Sequence, residues 1–534
     1  MAGTNEIVDV LIVGAGAAGA AVAWSLADTR MRIVCLEQGD WVRQQDYPIT
    51  GRDWESRPDF SGTPNVRQRP EDYPVDDSAS PIKPVNFNGV GGSTILYMAH
   101  FPRLHPSDFR TRTLDGVGED WPISYRDLQP FFADNDRMMG VSGLPGDPGC
   151  PPKEGLMPPV PLGILGETVA RGFNALGWHW WPSESAIATQ PYNGRDGCLN
   201  LGACALGCAQ GAKASTDITY WPEAIRKGVE LRTRCRVREI TLDEHGMARG
   251  AVYVDAAGVT HEQRAHIVIL ACSGIGTPRV LLNSTSARFP DGLANSSGLV
   301  GRNLMLHCMT VNQGVFDRPM LGWQGPIGCA LWSKEFYETD PARGYARGYT
   351  FEIVRGSGPV AAASGGLARG MLPWGAAHHA AFRQQFDRTA TIVGVGEDLA
   401  EQCNRVVLDP DHPDSDGMPG VRIEYRLGEN SRRMLEHAGA RATEVLKAAG
   451  AVAVSPTITY GVSSGHIMGT ARMGNDPATS VTNAWGRCHD VKNLFIADSS
   501  LFVSSGGVNP TSTLQALALY VADQIKRRLD SLFD

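Results

Sequence analysis

The apolar run VDVLIV at residues 8–13 leads into the glycine turn GAGAAG, an Ala-rich stretch, and a second apolar run, IVCL, that ends at Glu37. A continuous apolar run of this length predicts a strand buried on both faces, and the Ala-rich stretch predicts a helix against it, so residues 8–40 read as a βαβ unit. Across residues 229–270 apolar and polar positions alternate between turn signals, which predicts an antiparallel ribbon. At 265–284 a buried-strand pattern, AHIVIL, passes through a small-residue turn into a helix start with Pro278 near its first turn. Near the end NLFIA predicts a short strand, and Leu514, Leu517, Val521 and Ile525 recur on one face of a last helix. Asn509 suits the N-cap of that helix and Pro510 its first position. Strands interleaved with helices predict an α/β chain. Residues 311–460 carry no usable motif.

The glycine turn gives the first unit a chemistry. Gly14 permits the tight turn, Gly16 lets a pyrophosphate approach the main chain, and Gly19 lets helix and strand pack closely. Unpaired N–H groups at the helix N-terminus favour negative charge. Glu37 stands where an acid accepts hydrogen bonds from a ribose. These residues predict a bound dinucleotide and leave FAD and NAD both open. A second glycine-rich stretch, NFNGVGGSTILYMAHFPRLHPSDFR at 86–110, is unsuited to regular structure and suited to passing beside a flat ring or a phosphate.

Composition narrows the class. At 534 residues the chain is long enough for two or more domains. Hydrophobic residues at 42% and charged residues at 20% match ordinary globular usage, which argues against disorder and against a membrane protein. A net charge of −8 offers no polycation for nucleic acid or anionic lipid, so neither partner is expected. No apolar run approaches the roughly 20 residues of a membrane helix. The opening segment has no basic region followed by a leader-like apolar stretch, so a cytoplasmic location is expected. Eleven unevenly spread cysteines speak against a disulfide framework.

Six stretches occur in an order that identifies a family: VGAGAAG at 13–19, GVGGST at 89–94, ACSGIGTPRVLLNS at 271–284, VGRNLMLH at 300–307, HIMGTARMG at 466–474 and NPTSTLQALA at 509–518. The chain resembles the glucose-methanol-choline (GMC) family of FAD-dependent oxidoreductases. The resemblance implies a discontinuous Rossmann-like FAD-binding domain, from residues 1–140, 216–310 and 461–534. It also implies a substrate domain from 141–215 and 311–460, an antiparallel sheet backed by helices. It assigns His466 as the catalytic base over the flavin and Asn509 as its partner. Cofactor contacts are implied at Gly14, Gly16, Ala18, Gly19, Glu37, Gly91, Gly92, Ser93, Thr94, Val237, Ala271, Asp498, Pro510 and Thr511. Some members attach FAD through a histidine near the second glycine loop, where this chain has Ile95 and Leu96, so FAD is expected to be non-covalent. His100, His105, His307, His378 and His379 are assigned to structural or exposed roles, with His378 and His379 as candidates for a substrate entrance. No metal ligand is assigned.

Chemistry gives the His466–Asn509 pair an independent reason. Oxidising an alcohol removes a proton from oxygen and a hydride from carbon, so a base and an electron sink must converge on one carbon. Imidazole, with an ordinary pKa of about 6.5, is a base near neutrality. Asn509 can donate a hydrogen bond to developing alkoxide without altering net charge. The last helix, beginning at Pro510 and Thr511, would favour the anionic reduced flavin by about 1 kcal/mol.

The stretch CLNLGACALGCAQGAKAS at 198–215 crowds three thiols, Cys198, Cys204 and Cys208, on a glycine-rich loop. Such a loop also suits an iron–sulfur cluster, and some sugar-oxidising family members carry one. In those a second cysteine follows the first and proline follows the last, whereas here Leu199 and Ala209 stand there. Buried structural thiols are therefore preferred over a cluster, a disulfide or zinc. Electrons would pass to oxygen, a quinone or a cytochrome. GEDWPISYRDLQPFF at 118–132 looks most like the sugar and polyol branch, so the expected substrate is a sugar or glycoside, with an aromatic or aliphatic primary alcohol as alternative. The rival classes are a nicotinamide-dependent dehydrogenase, which needs neither HIMGTARMG nor NPTST, and a catalytically silent flavoprotein subunit.

Overall fold

The computed structural model describes residues 6–47, 72–326, 328, 330–355, 358–368, 370, 372–459 and 463–532. The first βαβ unit forms as the pattern predicts: β1 (Val8–Val13), α1 (Ala17–Leu26) and β2 (Ile33–Leu36). Four further strands, β3 (Glu230–Arg232), β4 (Arg236–Leu242), β5 (Ala248–Val254) and β6 (Thr260–Leu270), join them. Their order is β3–β2–β1–β6–β5–β4, and Leu494–Ile496 adds a seventh strand against β6.

Strand β6 belongs to two environments, and its burial records both. Its first residues pair antiparallel with β5, Gly250 opposite Arg264, and there exposed and buried positions alternate. Its last residues lie parallel to β1 on one side and to Leu494–Ile496 on the other, and all four of Ile267–Leu270 are buried. Full burial of each such Ile, Val or Leu stabilises by about 1.5–3 kcal/mol, so this sheet is the anchor of the molecule. The ribbon expected over 229–270 starts later than its pattern suggests. Glu230–Arg232 pairs parallel with β2, Val34 opposite Glu230, and closes the edge of the parallel sheet instead.

Helix α2 (Ser273–Asn283) follows β6 and holds Pro278 in its interior, further from its start than the sequence suggests. A proline there cannot donate to the carbonyl four residues back. The Thr470 hydroxyl supplies that missing bond, 2.8 Å from the Gly274 oxygen, so the proline costs no unsatisfied acceptor.

A second large sheet is antiparallel. Its long members are β7 (Cys308–Val315), β9 (Tyr349–Val354) and β10 (Thr389–Gly396), with the short β8 (Leu331–Ser333) beyond β9. Along β7 burial alternates strictly. Thr310 and Asn312 turn away from the cavity described below, and Asn312 bonds Thr443 and Thr457. Met309 and Val311 turn the other way. Helix α3 (Glu429–Ala448) covers the closed face and packs Met434, Ala438, Ala442 and Val445 against Phe351, Ile353 and Ile392. One face of this sheet is thus core, and the other is free to shape a site.

The last helix, α4 (Thr511–Arg527), packs against α1 and buries Leu517, Val521 and Ile525. Pro510, not Asn509, occupies the N-cap position: its carbonyl accepts the Leu514 N–H at 2.8 Å. The Asn509 side chain caps nothing. No helix of the described residues is long and apolar enough to cross a membrane.

Candidate active site

Two residue pairs of main-chain ladder create the centre of the site. Met305–Leu306 and Ile467–Met468 pair antiparallel, with Leu306 opposite Ile467. The next residues, His307 and His466, therefore face one another across the end of the ladder. Their Nδ1 atoms lie 2.7 Å apart. His307 is buried, and its Nε2 lies 2.7 Å from the Gly506 carbonyl oxygen and 3.3 Å from that of Ser505. A carbonyl only accepts, so Nε2 of His307 carries the proton and its Nδ1 is the acceptor. His466 must then donate from Nδ1, which leaves the lone pair on its Nε2. Burial pushes His307 down to about 4. Burial and the neighbouring His307 and His100 rings hold His466 well below the usual histidine range. Both rings are neutral at pH 7, and His466 is a base with one assigned tautomer. The structural role expected for His307 is thus corrected: it is the hydrogen-bond partner of His466.

The loop before α4 is held from several sides. Trp121 donates from Nε1 to the Ser504 hydroxyl at 2.7 Å, and Ser504 donates to the Asp108 carbonyl at 2.6 Å. The Gly507 N–H donates to the Tyr337 hydroxyl at 3.3 Å, and Tyr337 donates to Asp108 at 2.6 Å. Asn509 follows this clamped segment and borders the same cavity as His466. It neighbours Glu352 of β9, and its Oδ1 is buried without a protein partner.

The cavity holds about 710 Å³, within the usual range of about 300–1,000 Å³ for small-molecule and cofactor sites. It runs from the first glycine turn to His466. Of the expected cofactor residues, Gly14, Gly16, Ala18, Glu37, Gly92, Ser93, Thr94, Val237, Ala271, Asp498, Pro510 and Thr511 line it. Gly19 and Gly91 do not. Gly19 serves packing, since a Cβ there would stand 1.9 Å from the Gly14 carbonyl oxygen, and Gly91 has the left-handed φ of 97° that starts the second loop.

The residues present fit FAD. The two glycine loops touch, a Cβ at Gly92 falling 2.7 Å from the Gly16 Cα, so nothing larger than glycine leaves backbone open to a pyrophosphate. The buried Ser273 hydroxyl has no protein partner and borders the same stretch. Glu37 accepts the Ala15 and Gly39 N–H groups, both at 2.8 Å, and each oxygen keeps a second lone pair for a ribose hydroxyl. Burial raises its pKa while those N–H groups oppose the rise. Asp498 is spent on structure: it accepts from Ser273, Thr277 and Ser500 and pins the turn after β6 to the loop before α4. The sequence reading omits Arg236 and Arg279, which border the cavity and share buried Asp414 at 2.9 and 2.8 Å.

Beyond His466 the open face of the second sheet forms a wall. Val311 lies opposite Val393, and Val393 opposite Glu352, a row across three strands. Met309 and Val354 flank it. His100, expected to be structural, borders this end of the cavity as well.

The three crowded thiols are not among the cavity-lining residues, although Ala205 of their loop is. Cys198 accepts the Asn200 N–H and Cys208 the Lys213 N–H, both at 3.4 Å, and all three are unbridged. Among the described residues no group of three or more His, Cys, Asp or Glu is arranged to hold a metal ion. His378 and His379 open a helix with no buried residue and do not line the cavity.

Parallel strands with a glycine turn after an inner strand, and a cavity running from that turn to an imidazole and a carboxamide, define a dinucleotide-dependent oxidoreductase. Residues 12–42 match the NAD(P)-binding Rossmann-like domain profile, and residues 166–309 and 400–518 match the N- and C-terminal profiles of GMC oxidoreductase. The chain belongs to the GMC oxidoreductase family and is an FAD-dependent oxidoreductase of CH–OH groups in alcohols or sugars. It is 42% identical to 2-methyl-1,2-propanediol dehydrogenase of Mycolicibacterium austroafricanum, over 98% of this chain and 96% of that one. It is 29% identical to the fructose dehydrogenase large subunit of Gluconobacter japonicus, over 97% of each. Its fold is that of formate oxidase of Aspergillus oryzae, with a TM-score of 0.66 at 15% identity over the whole of both chains.

Proposed function

We propose that the chain oxidises a carbinol held between His466 and Asn509. The tautomer of His466 carries this reading: its donation to His307 leaves a lone pair on Nε2, at the end of a cofactor-sized cavity. His466 takes the hydroxyl proton at Nε2. As it becomes cationic, its Nδ1–H bond to neutral His307 becomes charge-assisted, and His307 holds its ring through the Gly506 carbonyl. An N–H of Asn509 steadies the developing alkoxide. FAD, held without a covalent link by the two glycine loops, Glu37, Val237, Ala271 and the N-terminus of α4, supplies the acceptor for hydride. The FAD-binding domain comprises residues 1–140, 216–310 and 461–534, and residues 141–215 and 311–460 supply the substrate side.

Substrate class follows from the wall. Met309, Val311, Val354 and Val393 suit a compact, branched, partly apolar alcohol better than a sugar, which agrees with the diol named for the 42% identical relative. A sugar or glycoside is the second reading, supported by the relative named for fructose. Oxygen, a quinone or a cytochrome reoxidises the flavin. The described cysteines are all unbridged, which suits a reducing, cytoplasmic setting.

Anaerobic mixing with 2-methyl-1,2-propanediol, benzyl alcohol and fructose tests the reading. The wild type should bleach with at least one of them. His466→Ala should keep its FAD and bleach about 10²–10⁴-fold more slowly. Unchanged bleaching in that variant removes the imidazole from the reaction.

A further inference from the structure

Glu352 is the one ionisable side chain on the apolar wall formed by β7, β9 and β10 among the described cavity-lining residues. It is 6% exposed, and its Oε1 has no hydrogen-bond partner. His100, 4% exposed, approaches from the segment after the second glycine loop, and neither of its ring nitrogens has a partner. The two groups stand 3.7 Å apart, Nε2 to Oε2, too far for a hydrogen bond. Both border the cavity that holds His466 and Asn509. Buried polar groups in native proteins are nearly always satisfied, so two side by side on one cavity wall call for a partner within the cavity that touches both.

We infer that Glu352 and His100 form an anchoring subsite for a second hydroxyl, on a carbon next to the one oxidised. This deepens the proposed alcohol oxidation and rests on it. A hydroxyl donates once and accepts twice, so it can donate to the Glu352 carboxylate while accepting from a His100 N–H. An ammonium group only donates and leaves His100 unmatched. An alkyl group matches neither. The apolar row of Val311 and Val393 beside Glu352 takes methyl groups on the same carbon. Asn509 and Glu352 are neighbours on the cavity wall, so the second hydroxyl and the reacting one would be bound side by side. A site built to bond a hydroxyl discriminates strongly against the analogue that lacks it, because its own polar groups are then left bare.

The test compares kcat/KM of the holoenzyme for 2-methyl-1,2-propanediol and for 2-methylpropan-1-ol, which differ by one hydroxyl. The wild type should favour the diol by about 100-fold or more. Glu352→Gln and His100→Phe should each lower that ratio by about tenfold or more, chiefly through KM for the diol. General effects on oxidation cancel in the ratio, and FAD absorbance reports whether each variant is intact. Where one variant does not retain FAD, the other decides. A wild-type ratio near one, or a ratio unmoved in the intact variants, overturns the subsite and leaves alcohol oxidation standing. If neither alcohol bleaches the flavin while benzyl alcohol or fructose does, the anchor falls and alcohol oxidation stands; if none of the four bleaches it, both fall.

Discussion

His307 shows how much one proton position decides. Its Nε2–H is committed to Gly506, so His466 has one way to be neutral and hydrogen-bonded. His307→Phe should lower the rate of flavin reduction by up to about 10²-fold, within the range of general-base help, because the His466 ring loses the acceptor that fixes its tautomer. The pH profile gives a second check. Protonation fills the Nε2 lone pair, and His466 sits well below the ordinary histidine value of about 6.5. In the wild type kcat/KM should therefore stay flat as pH falls through 6.5, with its acid limb lower. An acid limb at or above 6.5 would contradict the neutral buried pair. His307 was visible in the sequence as the last residue of VGRNLMLH, but nothing along the chain says that it meets His466. That fact resides in the two-residue ladder of Leu306 and Ile467, too short to leave a periodic trace.

At the scale of elements, the glycine turns are the most legible part of the chain, because close approach of main chain to main chain admits one residue type. Gly92 has φ 52° and no room for a Cβ beside Gly16. Gly92→Ala should push the second loop away from the first, weaken FAD binding about tenfold or more, and lower the thermal midpoint of the holoenzyme, read by flavin fluorescence on titration. Strand β9 was illegible for the opposite reason. Tyr349–Ile353 is buried on both faces, one against α3 and one at the cavity, so its acid reads as a flaw in a core strand and not as a site. Pro278 misled similarly: its position suggested a helix start, and only the Thr470 hydroxyl, far along the chain, lets it sit inside.

Across the whole molecule, one buried cation ties distant segments together. The Arg347 guanidinium bonds Asp108, Asp115 at 2.9 Å and Glu397 at 2.8 Å. Asp108 in turn accepts from Tyr337, which holds Gly507. Burial pushes Glu397 up to about 7 against the opposing pull of Arg347. Arg347→Met strands these carboxylates and should cost about 3–5 kcal/mol, measured as a lower denaturant midpoint with an unchanged slope. Flavin reduction should slow as well, since the loop that positions Asn509 loses its clamp. None of this network was legible, because its acids lie from 50 to 239 residues from Arg347 in sequence and carry no shared motif.

The ladder that joins Met305–Leu306 to Ile467–Met468, with the Gly506 carbonyl behind it, has a consequence for how such a protein diversifies. Everything that sets the base lies outside the strands from 308 to 396. Those strands can be rewritten by descent or by design, exchanging one clientele of molecules for another, while the proton chemistry is inherited untouched. Glu352, on the wall beside Asn509, lies where the two inheritances meet, and it marks where grafting a new wall would first be felt.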